Sequence, residues 1–187
     1  MRKLILQMMV SVDGYFEGPG REIDWHNVDA EFNDLAISFL DTVDTLLFGR
    51  VTYELMAGYW PSEHAVKDDP IVAGKMNALR KVVVSRTLDR VAWNNSTLVK
   101  GDLIDEVRKL KQQPGKDIAV FGSSDVAVAL VPHGLIDEYR IMVNPVILGS
   151  GKSLLRSLDR RQKLKLLESK VFRSGNVLLC YRPVEVR

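Results

Sequence analysis

Thr45-Leu46-Leu47-Phe48-Gly49-Arg50-Val51-Thr52-Tyr53-Glu54-Leu55-Met56 reads as strand, turn and helix. The first four residues form the short apolar run of a buried strand, Gly49 stops it, and Thr52 to Met56 resume a helical pattern. The same rhythm recurs along the chain. Upstream, residues 3–10 predict a first strand, 11–27 a long loop rich in glycine and charge, and 28–40 an amphipathic helix. In that helix Val28, Phe32, Leu35, Ala36, Phe39 and Leu40 recur at three-and-four spacing, with acids near its favourable N-terminal end. Downstream, Pro61 and Pro70 discourage a long helix between Tyr59 and Lys75. Strands are predicted at 81–85, 97–99 and 117–121, with helices at 102–112 and 124–131, the last closed by Pro132 and Gly134. Such alternation predicts an α/β fold of three layers, a mostly parallel sheet between helices. After Leu135 the pattern changes. A strand at 139–143 precedes extended runs at 164–173 and 176–182 around Ser174-Gly175-Asn176, which predict an antiparallel C-terminal hairpin in a mixed sheet.

The chain has 187 residues, 46% hydrophobic and 27% charged, which suits one globular domain spanning 1–187 without a linker. Its 26 basic and 24 acidic residues leave a formal net charge of +2, so no long-range field draws it to nucleic acid or to an anionic membrane. A single cysteine, Cys180, excludes a disulfide scaffold and predicts a reducing, cytoplasmic setting. Arg2-Lys3 before an apolar run imitates a secretory signal, but Gln7 interrupts the run and Asp13-Gly14 ends it in a turn; a buried first strand is the better reading. No apolar stretch approaches the roughly 18 residues that cross a bilayer.

In an alternating sheet the ligand crevice lies beyond the C-terminal ends of the parallel strands. The residues there are small or polar: Ser11 to Gly14, Gly49-Arg50-Val51-Thr52, Ser85-Arg86-Thr87, Lys100-Gly101 and Gly122-Ser123-Ser124-Asp125. Glycine admits close backbone approach, helix N-termini offer free N–H groups to phosphate, and arginine adds a planar fork of donors. Any one of these residues has an ordinary structural use; together, after consecutive strands, they describe a site for a phosphate-rich ligand. Gly149-Ser150-Gly151-Lys152-Ser153 ends like a nucleotide-triphosphatase loop, but that pattern needs glycine where Val146 stands. His26, His64 and His133 are too dispersed to suggest a metal.

The succession Phe48-Gly49-Arg50-Val51-Thr52-Tyr53-Glu54, Val82-Val83-Val84-Ser85-Arg86-Thr87, Val99-Lys100 and Val120-Phe121-Gly122-Ser123-Ser124 resembles dihydrofolate reductase. Leu135-Ile136-Asp137-Glu138-Tyr139-Arg140 with Pro145-Val146-Ile147-Leu148-Gly149-Ser150-Gly151-Lys152 is more specifically similar to the reductase domain of the bifunctional riboflavin-biosynthesis deaminase-reductase, which would here be free-standing. The resemblance implies a dihydrofolate-reductase-like fold, NADPH as cofactor and hydride transfer to a pyrimidine or pterin-like ring. The substrate would be 5-amino-6-(5-phosphoribosylamino)uracil or a relative; dihydrofolate reduction and a non-catalytic nucleotide-binding module remain open.

By the same resemblance Gly49, Arg50 and Thr52 would hold cofactor phosphates, with Lys100 nearby. Ser85 and Arg86 would face the adenosine 2′-phosphate, and Gly122, Ser123, Ser124 and Asp125 would cradle the pyrophosphate. Val12 and Asp13 begin the mobile loop beside the nicotinamide. Asp13 and Glu31 are the candidate catalytic acids, with Asp29 and Asp34 crowding the region of Glu31, and Trp25, Gly151 and Lys152 are candidates for the substrate. Where dihydrofolate reductases carry paired glycines this chain has Gly122-Ser123, and the resemblance implies a cis peptide there. The apolar runs Val171-Phe172 and Val177-Leu178-Leu179-Cys180-Tyr181 predict a homodimer through the final hairpin.

Overall fold

The computed structural model describes residues 1–156 and 158–184. The chain runs β1 (Leu4–Ser11), β2 (Tyr15–Glu17), α1 (Ala30–Leu40), β3 (Val43–Gly49), α2 (Arg50–Tyr59), α3 (Glu63–Asp68) and α4 (Pro70–Ala78). It continues through β4 (Arg80–Val84), β5 (Ser96–Val99), α5 (Leu103–Gln112), β6 (Asp117–Phe121), α6 (Ser124–Leu130) and a 3-10 turn, Val131–His133. The last elements are β7 (Glu138–Asn144), β8 (Lys152–Ser153), β9 (Leu164–Val171) and β10 (Val177–Pro183).

Eight strands form one sheet in the order β5-β4-β3-β6-β1-β7-β10-β9, while β2 and β8 pair apart. The first six in that order are parallel, and β10 is antiparallel to both β7 and β9. The α/β fold with its antiparallel C-terminal pair is therefore as the pattern predicts. β1 lies at the centre with both faces covered, which is why its sequence is almost continuously apolar. On one face Leu4, Leu6, Met8 and Val10 pack with Val107 and Leu110 of α5 and with Val126, Ala127 and Leu130 of α6. On the other, Ile5 and Phe48 pack with Phe39 and Leu40 of α1, Tyr53 of α2 and Val72 and Met76 of α4. A smaller cluster, Met142, Phe172, Leu178 and Cys180, lies beneath Phe32 and Leu35 of α1.

Local chemistry explains the boundaries. Asp29 caps α1 by accepting from the Phe32 amide, and Asp102 caps α5 by accepting from the amides of Ile104 and Asp105. The proline-bearing stretch holds two short helices, and Pro70 sits in the first turn of α4, where its missing N–H costs nothing. Two details depart from the sequence pattern. The long loop at 11–27 contains β2, because Ser11 Oγ turns the chain by accepting from the Tyr15 amide at 3.0 Å. The helix predicted over 124–131 ends at Leu130 and tightens into the 3-10 turn, finished by Gly134 at φ +62°. Among the described residues no helix is long and apolar enough to cross a membrane.

Candidate functional site

The register of the sheet aligns the polar residues that follow the strands. Gly49 pairs with Val84 and Val84 with Val99, so Arg50, Ser85 and Lys100 each come one residue beyond a common row. Arg50, Arg86 and Lys100 are exposed at this edge. The Arg50 guanidinium donates to Glu54 Oε2 at 3.0 Å, one turn along α2. Ser85 is buried, and its hydroxyl oxygen accepts from the amides of Thr87 (3.2 Å) and Leu88 (3.1 Å), fixing the turn that presents Arg86.

The turns after β3 and β6 are fastened to each other. The Gly49 amide donates to Ser123 Oγ at 3.2 Å, and buried Ser124 donates its hydroxyl to the Leu154 carbonyl at 2.9 Å. Gly122 has φ +61°, and a Cβ there would lie 3.3 Å from Thr52 Cγ2, so the first turn of α2 and the β6 turn approach as closely as glycine permits. All peptide bonds of the described chain are trans, including Gly122–Ser123, which corrects the expected cis bond. The positive φ of Gly122 already reverses the chain.

Helix capping separates these two turns from the rest. α1, α3, α4 and α5 each carry an Asp or Ser side chain on their first-turn amides, whereas among the described residues α2 and α6 have no side-chain cap. The amides of Arg50 to Thr52 and of Asp125 therefore face no side-chain acceptor and keep the positive end of the helix dipole, while the Ser124 amide already donates to the Gly122 carbonyl at 3.2 Å. Since β3 and β6 are neighbours, the two uncapped starts lie side by side.

A groove of about 760 Å³ adjoins them, lined by Arg50 and Val51, by Asp125, by Glu17 to Pro19 and Arg21 of the first long loop, and by Gly151 to Ser153 and Arg156. Lys152 lies on β8, its Nζ 3.5 Å from Asp125 Oδ1 and 3.9 Å from Glu17 Oε1, so Gly149 to Ser153 is a bend leading into a strand. Gly151 has φ +147°, and a Cβ would stand 2.3 Å from the Glu17 carbonyl oxygen. Only glycine lets β8 lie against β2 there.

The structure gives both candidate acids other partners. Asp13 accepts from the amides of Leu148 (3.1 Å) and Gly149 (2.7 Å), and the Val12 amide donates to the Val146 carbonyl at 2.8 Å. The Ser11 hydroxyl and those amides hold the Asp13 carboxyl below the usual carboxylate range, so it is an acceptor that staples the loops after β1 and β7. Glu31 accepts from the Arg173 amide at 3.1 Å and lies 3.5 Å from Lys170 Nζ, facing the C-terminal hairpin. Of its neighbours, Asp29 is the helix cap and Asp34 is exposed. Half-buried Trp25 donates to the Glu22 carbonyl at 3.1 Å and meets His26 edge-on. Burial depresses the His26 imidazole to about 4, so the ring is neutral near pH 7.

Three residues of this region escape a reading by motif. Arg21 and Arg156 bring two more cations to the groove, Arg21 at φ +68° just beyond Gly18-Pro19-Gly20 and Arg156 in a run that reads as an ordinary charged segment. Met9 is the one residue of central strand β1 that is not fully buried, and it packs with half-buried Phe32 and Leu35 of α1 against the cluster of Met142, Phe172, Leu178 and Cys180.

Residues 2–178 match the family of the RibD C-terminal domain. The uncharacterized protein YyaP of Bacillus subtilis (strain 168) is 34% identical over 182 residues, which cover 96% of this chain and 94% of that protein. Among solved structures, the diaminohydroxyphosphoribosylaminopyrimidine deaminase/5-amino-6-(5-phosphoribosylamino)uracil reductase of Thermotoga maritima has a TM-score of 0.69 at 14% identity, over 98% of this chain and 57% of that one. Dihydrofolate reductase from Enterococcus faecalis, complexed with NADP(H), has a TM-score of 0.66 at 16% identity, over 98% and 97% of the two chains. The fold is dihydrofolate-reductase-like.

Proposed function

The chain belongs to the RibD C-terminal domain family, and from that premise we propose that it is an NADPH-dependent reductase of a pyrimidine or pterin-like ring, closest in reaction to 5-amino-6-(5-phosphoribosylamino)uracil reduction. The observation that carries this reading is the pair of uncapped helix starts, α2 and α6, fastened side by side through Gly49 and Ser123. That donor set fits a pyrophosphate: backbone amides, dipole ends and a glycine turn that permits contact. When bound, the nicotinamide supplies the hydride.

The chain's own residues do the rest. Amides of Arg50 to Thr52 and of Asp125 would bind phosphate oxygens, while Arg86, with Arg50 and Lys100 along the same edge, would receive the adenosine 2′-phosphate. Asp13, held ionised, keeps the two loops closed on each other and so preserves the wall beside the reacting ring. With Asp13 and Glu31 both engaged as acceptors, the proton reaches the ring from water held in the pocket.

The engagement of both acids also favours a second reading, a nucleotide-binding module without catalysis. Absorbance at the reduced-nicotinamide band, with a panel of aminopyrimidines and pterins, separates the two. The reductase consumes NADPH steadily with one ring class; the module binds NADPH and shows no turnover.

Arg86→Ala is expected to weaken NADPH binding about tenfold to a hundredfold, the worth of one charge-assisted contact of about 1.5–3 kcal/mol, and to leave NADH affinity unchanged. Equal losses for both cofactors in a fluorescence titration would count against a 2′-phosphate at this edge.

The same reading includes a homodimer through the C-terminal hairpin. Phe172, Leu178 and Cys180 are buried beneath α1, but β9 is a sheet edge on which Leu164, Leu166, Leu167 and Val171 remain 40–74% exposed. An apolar edge of that kind invites pairing. Sedimentation at micromolar concentration is expected to show twice the chain mass; a species of only 21.1 kDa would contradict it.

A further inference from the structure

Four cations, Arg21, Arg50, Lys152 and Arg156, and two carboxylates, Glu17 and Asp125, line the groove beside α2 and α6. Asp125 is the anomaly among them, because it sets a negative charge beside the proposed phosphate position. Its carboxylate accepts from Arg156 Nη2 at 3.0 Å and from Lys152 Nζ at 3.5 Å. The Asp125 side chain is 68% exposed, that of Arg156 51% and that of Lys152 26%. Ion pairs so open to water contribute little to stability. Other contacts hold the segment that carries the two cations. Lys152 and Ser153 pair with Glu17 and Tyr15 across β8 and β2, and the Lys152 ammonium lies 5.3 Å over the Phe16 ring. Leu154 is buried, and its carbonyl accepts from the Ser124 hydroxyl at 2.9 Å. The two cations therefore stay at the groove whether or not Asp125 holds them.

A carboxylate that neither caps its helix nor anchors a loop, yet neutralises two cations of an open groove, is a rival to any anion that enters. We propose that Asp125 is an autoinhibitory counter-ion. In the ligand-free protein it occupies Lys152 and Arg156, and a phosphoanion enters by taking both cations from it. The step is an exchange of ion pairs, with no covalent change. A singly charged anion only replaces one carboxylate by an equivalent charge and gains nothing. A pyrophosphate brings more charge and more acceptor oxygens, and prevails. Asp125, already exposed, returns to water without a desolvated charge being left behind. Lys152 keeps Glu17 Oε1 at 3.9 Å as a second partner, so the ammonium stays directed into the groove throughout. The groove thus admits multiply charged phosphoanions and refuses chloride and simple carboxylates. This gate rests on the reductase reading for the phosphate that enters, and it adds how that site excludes other anions.

The test is calorimetric titration of the full chain with inorganic pyrophosphate. Asp125→Asn is expected to bind it about fivefold tighter than the wild type, the scale of one exposed ion pair released. Asp34→Asn, the same change of net charge on α1, is expected to alter it by less than about twofold. In the double variant Lys152→Met with Arg156→Gln the anion binds more weakly, and adding Asp125→Asn there recovers less than about twofold, because no cation is left to release. Acetate is expected to compete with pyrophosphate in Asp125→Asn and not in the wild type. Unchanged or weaker pyrophosphate binding in Asp125→Asn would overturn the proposal, the weaker result showing that the carboxylate positions the cations for the ligand. A gain that persists without Lys152 and Arg156 would overturn it too, leaving plain repulsion, as would pyrophosphate binding to none of the variants. The two readings can fail separately. Gated pyrophosphate binding by a chain with no affinity for NADPH sinks the reductase alone, and NADPH turnover with pyrophosphate affinity indifferent to Asp125 sinks only the gate.

Discussion

Asp137→Ala is expected to lower the free energy of unfolding by about 3 kcal/mol, read as a reduced urea midpoint at unchanged slope. Lys111, at the end of α5, is 4% exposed, and its ammonium donates to the Asp137 carboxylate and, at 3.0 Å, to the Leu135 carbonyl. Asp137 also accepts from the Leu4 amide at 2.7 Å, and its own amide donates to the Leu4 carbonyl at 2.9 Å. One carboxylate therefore ties α5, the start of β1 and the entry to β7. Removing it strands a buried ammonium and a strand amide together. Asp105→Ala is the control. Its carboxylate meets Arg108 at 3.5 Å with both side chains more than half exposed, and such pairs contribute about 0–1 kcal/mol. Equal losses for the two variants would show that the Lys111–Asp137 contact carries no special weight.

The second large effect is one of pH. Lys81 on β4 is fully buried, with its ammonium donating to the carbonyls of Asn77 (2.7 Å) and Asn94 (3.0 Å) and lying 4.3 Å from the centre of the Trp93 ring. Burial pulls it down to about 8, against 10.5 for a free lysine. Below pH 8 both the folded and the unfolded chain carry the charge, and the folded state bears its burial. Between pH 8 and 10.5 the unfolded chain binds more protons, so stability rises with pH by up to about 3 kcal/mol. Tyr139 acts in the opposite direction but higher. Burial, with Asp137 nearby, pushes its hydroxyl up to about 12, so the folded state loses ground only above pH 10, where an unfolded tyrosine ionises. Chemical denaturation from pH 7 to 10 should show the rise in the wild type and a flatter profile in Lys81→Met. A rise that persists in the variant would assign it to another group.

The elements long enough to show a period were legible in the sequence. α1, α5 and the parallel strands β1, β3, β4, β6 and β7 carry regular stripes or continuous apolar runs, and those patterns alone predict the mixed sheet. β2 and β8, three and two residues long, carry no period and exist because Ser11 turns the chain and Gly151 admits a close neighbour. The row of Arg50, Ser85 and Lys100 could be anticipated because strand ends are marked by where apolar runs stop. The partners of Asp13 and Glu31 could not. They lie 135 and 142 residues away, at Leu148 and Arg173, and nothing local encodes them. Gln7 was visible only as an interruption of an apolar run. Its neighbours Phe121 and Arg140 come from two other strands, and only the sheet order brings the three together.

The proposed reductase requires a dinucleotide across the strand ends with its phosphates on the uncapped starts of α2 and α6. Backbone amide chemical-shift mapping of the isotopically labelled chain, titrated with NADPH, tests it most directly. The largest shifts are expected on Arg50 to Thr52 and on Gly122 to Asp125, with a second group at Ser85 to Thr87 that NADH does not reproduce. Shifts confined to other surfaces, or a spectrum unmoved by millimolar NADPH, would contradict it.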